Sequence, residues 1–258
     1  MAEPVRLERD GPVAILVLDN PPLNLFNRAT FEALSRHVGE LAASDARALV
    51  WRAEGDTFSA GVDVHEFSGT RPSASEDMFS GLISVVRKIE ALPFPTLALA
   101  HGLCLTAGLE VSLGCDLFWA SESARFGLVE AVVGLTPGAG GTQRIAERAG
   151  PARAREFVMT GGLYDAPTME RWNLVNRVVG DGELTEKGMR FAHRLAAGPT
   201  RAHAATKRIV RAFLEDGIDG ADKVTPRVSG DLFATEDLQR AVQTFLEEGP
   251  GKATFEGR

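Results

Sequence analysis

The stretch LALAHGLCLTAGLEVSLGCDLFWASESARFGLVEAVVGLTPGAGGTQR, residues 97–144, decides how the chain is organised. An apolar run over 97–100, preceded by the β-branched Thr96, predicts a buried strand over 96–100. Residues 102–105 form its turn, and 107–114 a short helix that carries Glu110. Short strands follow over 117–120 and 124–126. Glu130 then stands alone as a charge in Gly127-Leu128-Val129-Glu130-Ala131-Val132-Val133. A glycine-rich turn, 137–141, opens the next helix. Two carboxylates in apolar settings, beside turns that free backbone N–H groups, make a candidate acid–base site with an anion hole.

Outward from this stretch the chain alternates strands and helices. Segments 5–9 and 13–19 read as a hairpin turned at Asp10-Gly11. Pro21-Pro22 ends its second strand, because proline cannot donate to a ladder. Thr30 is placed to cap a helix over 31–43, with Phe31, Leu34, Val38 and Leu41 at helical spacing. ALVWRA, 48–53, predicts another strand. Residues 68–76, rich in Ser, Gly, Thr and Pro, read as a mobile loop, and 78–91 as a helix. Beyond the opening stretch, helices are expected over 142–149, 152–160 and 166–172, and a strand over 175–179. From Leu184 the pattern is helical only (184–197, 200–214, 232–247), interrupted by Gly198-Pro199 and by a polar stretch at 216–231. The expected fold is α/β, with a core over 1–195 and a C-terminal helical region over 196–258.

Composition narrows the function. A net charge of −7 with no Lys/Arg cluster argues against a nucleic-acid surface. No apolar run approaches the roughly 18 residues that read as a membrane span. The N-terminus lacks a basic-then-apolar signal pattern, so a cytoplasmic location is expected. Cys104 and Cys115 read as reduced core thiols, and neither has the companions a metal site needs. Residues 134–141 lack the Gly-Lys-Ser/Thr ending of a phosphate loop, and no dinucleotide fingerprint follows a strand. No nucleophile triad presents itself, and His101, at a strand end, reads as structural.

What remains is carboxylate chemistry. Burying Glu110 or Glu130 costs several kcal/mol unless the group is paired, protonated or open to a wet cleft. For either residue alone, a helix-end or surface carboxylate is the favoured reading; two in one apolar window beside glycine turns shift it toward function. Two that share a cleft would couple, one holding a proton while the other stays ionised. That arrangement suits adding water across, or removing it to form, an activated double bond. The turns at 58–63 and 105–108 place small residues where strand gives way to helix, and their N–H groups suit a developing anion.

In these motifs the sequence resembles the enoyl-CoA hydratase/isomerase (crotonase) superfamily, through NPPLNLFN (20–27), FSAGVDVHEF (58–67), HGLCLTAGLEVSLGCDL (101–117), ARFGLVEAVVGLTPGAGGTQR (124–144) and FATEDLQRAVQTFLE (233–247). The resemblance implies a spiral of ββα turns, with a C-terminal helical region that makes a homotrimer or a hexamer of two trimers. It implies an acyl-CoA thioester substrate, with coenzyme A carried by that substrate and no metal or other cofactor. The family's paired catalytic glutamates fall on Glu110, which helps activate water, and Glu130, which supplies the α-carbon proton. Its oxyanion N–H groups fall on Val62 and Ala107. CoA contacts fall on Ala60, Asp63, Val64 and Lys252. The implied reaction is hydration of a 2-trans-enoyl-CoA, as in fatty-acid β-oxidation. Isomerisation, decarboxylation or dehalogenation of an acyl-CoA, or an idle acyl-CoA-binding role, are the alternatives. Two departures concern the anion hole. The second oxyanion position is usually glycine and is Ala107 here, beside Thr106; the first is often alanine and is Val62 here.

Overall fold

The computed structural model describes residues 3–69 and 71–258. The chain runs through β1 (Val5–Asp10), β2 (Val13–Leu18), α1 (Arg28–Ala42), β3 (Ala48–Ala53), α2 (Pro72–Glu90), β4 (Thr96–Ala100) and β5 (Leu103–Leu105). It continues through α3 (Thr106–Leu113), β6 (Leu117–Ser121), β7 (Arg125–Gly127), α4 (Gly141–Ala149), α5 (Pro151–Thr160), β8 (Tyr164–Asp165), α6 (Ala166–Arg171) and β9 (Arg177–Val179). Helices α7 (Leu184–Ala196), α8 (Thr200–Gly230) and α9 (Glu236–Glu248) complete it.

Two sheets result. The larger has the order β1-β2-β3-β4-β6-β9, with β1 antiparallel and the rest parallel. The smaller has the order β5-β7-β8, and single bridges at Phe26–Val62 and Ser59–Cys104 add to the architecture. After β4 and again after β6 the chain leaves the large sheet, turns, and lays a short strand in the small one. That step, followed by a helix, is the repeating unit of the spiral.

Strand β2, VAILVL, is buried along its whole length, as expected for a sheet covered on both faces. Ala14, Leu16 and Leu18 face the main core with Trp51, Phe58, Phe118 and Phe126, while Val13, Ile15 and Val17 face a second core closed by Leu184, Ala192 and Ala196 of α7. Each fully buried large apolar side chain contributes about 1.5–3 kcal/mol.

Four local expectations change. Helix α1 starts at Arg28 and is capped by Asn27, whose Oδ1 accepts from Thr30 N at 3.0 Å; the Thr30 hydroxyl is buried and donates to Leu25 O instead. Much of the stretch read as a loop over 68–76 is the first turn of α2, with Pro72 at a position where no N–H is needed; Thr70 lies outside the described residues. The supposed turn at 102–105 is largely β5, because its backbone finds partners in β7 and Ser59. The polar stretch 216–231 is helical within α8, broken only at Gly217 (φ +68°); its polarity reflects a largely exposed helix rather than a loop.

The helical end is tied to the sheet through charged side chains: Arg47, which precedes β3 and donates to Gly198 O, Thr200 Oγ1 and Phe255 O, and Asp116. Asp116 Oδ2 accepts from Thr96 N (2.8 Å), the Thr96 hydroxyl (2.9 Å) and Lys207 Nζ of α8 (2.8 Å). Replacing Asp116 with alanine leaves Lys207 facing Phe94 O alone and should cost about 2–3 kcal/mol. Urea denaturation reads this directly, and a loss under about 0.5 kcal/mol, the range of ordinary surface substitutions, would show that the tie does not hold the two parts together.

Candidate active site

Helix α3 is buried at all eight positions, and Glu110 is its one charged residue; the Ser112 hydroxyl is satisfied by Gly108 O. Glu110 is 2% exposed, and its Oε1 accepts two backbone bonds, from Ala139 N at 2.9 Å and Gly141 N at 2.8 Å. These donors lie in the glycine-rich turn that opens α4. A Cβ on Gly141 would sit 2.8 Å from Glu110 Cγ and 2.9 Å from Leu128 Cδ1, so only glycine lets the turn approach the carboxylate. Arg144, one turn along α4, adds positive charge to the same side; its Nε bonds Glu90 Oε1 at 2.7 Å and its Nη1 bonds Gly140 O at 3.0 Å.

Glu130 starts a short 3₁₀ turn, Glu130–Val133, after the small sheet. Its Oε2 is buried and has no hydrogen-bond partner among the described residues. Burial pushes its pKa up and the nearby charge of Glu110 adds to this, bringing it to about 7. Burial also raises Glu110, but the N–H groups of Gly141 and Ala139 and the charge of Arg144 pull back toward the anion. The two carboxylates thus differ in surroundings: two N–H donors favour the ionised form of Glu110, and Glu130 Oε2 has none among the described residues.

The two turns expected to form an anion hole are clamped together. Ser59 N donates to Leu103 O and Leu105 N donates to Ser59 O, both at 2.9 Å. This brings Val62 beside the start of α3. Ala107 N–H, in the first turn of that helix, has no acceptor among the described residues. Val62 N–H, however, donates to Thr106 Oγ1 at 3.1 Å.

Of the residues expected to meet CoA, the N–H of Ala60 is taken by Leu23 O and that of Asp63 by Phe26 O. The carbonyls of Ala60 and Val62 accept no bond among the described residues, and Val64 is 55% exposed. Hydrogen bonding to His65 holds the Asp63 carboxyl below its ordinary range. Lys252 is not drawn into this group. The tail near it is held by Arg47 Nη1, which donates to Phe255 O at 2.8 Å, and Arg47 precedes β3 at the end opposite the 54–63 turn. A six-residue strand spans about 20 Å.

Cys104 and Cys115 are buried, and burial raises both thiols, Cys115 to about 12; they are inert core groups. His101 bonds Gly55 O at 2.7 Å, the backbone contact expected of it. Sequence reading passed over two features. It saw the 137–141 turn but not that its N–H groups serve Glu110, although a glycine pair before a helix with no side-chain cap was the signal. It also gave no role to Thr106.

With this geometry in hand, relatives are informative. Residues 8–258 match the family model for enoyl-CoA hydratase/isomerase. The short-chain-enoyl-CoA hydratase of Clostridium acetobutylicum is 31% identical over 249 residues, 95% of each chain. The carnitinyl-CoA dehydratase of Salmonella enteritidis is 33% identical over 259 residues, 96% of this chain and 97% of its own. A crystal structure of an enoyl-CoA hydratase from Bacillus anthracis superposes with a TM-score of 0.92 at 26% identity, covering 99% of this chain and 100% of that one. A match along almost the whole chain, on a fold that pairs Glu110 with Glu130, makes this protein a member of the enoyl-CoA hydratase/isomerase family with the crotonase fold.

Proposed function

We propose that the protein hydrates a 2-trans-enoyl-CoA to the corresponding 3-hydroxyacyl-CoA. The observation that carries this reading is the unequal pair of buried carboxylates, Glu110 with two N–H donors and Glu130 with none on Oε2. Water held between them loses a proton toward Glu110 as its oxygen bonds the β-carbon. The double-bond electrons move onto the thioester as an enolate, and protonated Glu130 delivers its proton to the α-carbon. Each resting carboxylate then regains its state by proton exchange through the pair. Relatives named for hydration and for dehydration fit one site run in either direction. An isomerase needs only an acid that shuttles one proton; the second, donor-equipped carboxylate favours hydration.

The substrate class follows from the family and from the rim of the site. Val132 and Val133, next to Glu130, are exposed apolar side chains suited to an acyl chain. The unpaired carbonyls of Ala60 and Val62 suit the amine of adenine, with Asp63 and Val64 beside them. Lys252 would reach a CoA phosphate only across a chain boundary. That fits an assembly of three chains, or two such trimers, through the helical region, where an apolar groove is lined by Val242, Phe245, Leu246 and Phe255.

Three measurements test this proposal. Glu110→Gln and Glu130→Gln should each lower crotonyl-CoA hydration, read by product mass and absorbance, by at least about 100-fold, the weight of a general acid or base, with unchanged circular dichroism. Full turnover in both variants would remove the assignment. Gly141→Ala should lower kcat by about tenfold or more through displacement of the Glu110 carboxylate, since small misplacements cost up to about 100-fold. The third is a pH dependence. Glu130 binds its proton more tightly folded (about 7) than at its ordinary value of 4.5, so its contribution to stability is complete below about 4.5 and is lost as pH rises through about 7. Hydration should fall over the same upper limb, because the acid form is consumed. Urea midpoints across this range should decline less in Glu130→Gln than in the wild type; equal slopes would mean that Glu130 titrates normally.

A further inference from the structure

Thr106 has a φ of +42°, in the left-handed region that a β-branched residue occupies only under constraint. Such strain persists where surrounding structure over-determines it, and it is common at active sites. The side chain is 7% exposed, and its oxygen takes the N–H of Val62 at 3.1 Å. The fit extends to Gly61 (φ +105°), where a Cβ would lie 2.2 Å from Thr106 Oγ1. The hydroxyl therefore sits where a thioester oxygen would have to be for Val62 N–H to hold it directly. Its own hydrogen has no acceptor among the described residues, and Ala107 N–H, one residue on, is also unclaimed.

An unused donor beside an unused N–H in a buried site calls for an acceptor. We infer that the thioester oxygen is held by the Thr106 hydroxyl and Ala107 N–H, with Val62 N–H bonding the hydroxyl oxygen from behind. This inference rests on the acyl-CoA reading above. In this relay the N–H acts through Oγ1, and a hydroxyl that accepts one bond donates the next more strongly. Added side-chain volume at 106 thus supplies a donor rather than blocking the hole. No bond is made or broken at Thr106; it stabilises the enolate oxygen while charge is there, as an oxyanion donor does.

The test uses the full-length protein with two readouts. One is hydration of crotonyl-CoA. The other is the infrared carbonyl stretch of bound butyryl-CoA, a saturated thioester with no double bond to hydrate. Thr106→Ser should keep kcat within about threefold and keep the lowered stretch. Thr106→Ala should cut kcat by about 100-fold, the effect of one oxyanion donor, with KM nearly unchanged, and should shift the stretch back toward its free value. Unchanged or increased kcat and stretch shift in Thr106→Ala would overturn the assignment, because the hydroxyl would then only cover Val62 N–H. If Thr106→Ala does not fold, Thr106→Gly, which suits the positive φ, makes the same comparison. A wild type that lowers the stretch but hydrates no enoyl-CoA would remove hydration and leave the donor in place. A wild type that hydrates crotonyl-CoA while Thr106→Ala changes nothing would do the reverse. No shift of the bound carbonyl in the wild type would remove the donor.

Discussion

A carboxylate that is 2% exposed must be held by something, and Glu110 is held by backbone: the N–H groups of Ala139 and Gly141, both on one oxygen. Desolvation on this scale costs several kcal/mol unless it is offset. Much of the surrounding structure can be understood as the offset. The turn must lack a Cβ at 141 to reach Oε1. Helix α4 must begin there, so that its first N–H groups point at the anion rather than at water. Arg144, held by Glu90 and by Gly140 O, keeps that turn together and adds charge of the right sign.

The same arrangement sets two like groups in unequal surroundings. Glu110 and Glu130 are both driven toward protonation by burial, and their mutual repulsion means that both do not ionise freely. The N–H groups of the 137–141 turn donate to Glu110 and favour its ionised form. Glu130 Oε2 is buried and has no hydrogen-bond partner among the described residues, whereas Glu110 Oε1 has two backbone donors.

Much of the fold was legible in the sequence because its signals are local and strong. β2 is an unbroken apolar run, β4 is one after Thr96, and the Asp10-Gly11 hairpin is short-range. The failures are where tertiary partners decide. Residues 103–105 are a strand because β7 and Ser59 supply ladder partners, and three residues carry too little periodicity to announce it. The helix over 216–230 is largely exposed and contains Gly217, Gly220 and Pro226, so composition alone resembled a loop. Glu110 and Glu130 stood out by type and setting, yet what distinguishes their surroundings is donors to Glu110 from 29 and 31 residues away in sequence. No spacing rule reports such a contact.

Where the 58–63 turn meets α3, local backbone preferences give way to tertiary fit. Gly61 and Thr106 both have positive φ, but only glycine does so without strain. The Thr106 hydroxyl takes the N–H of Val62, and the missing Cβ of Gly61 is the space that Oγ1 fills. The clamp between Ser59 and β5 fixes the distance between the two turns, so neither residue can relax without breaking strand pairing. Strain at Thr106 is therefore maintained by the small sheet, which places its cost in the scaffold and its unused hydrogen in the site.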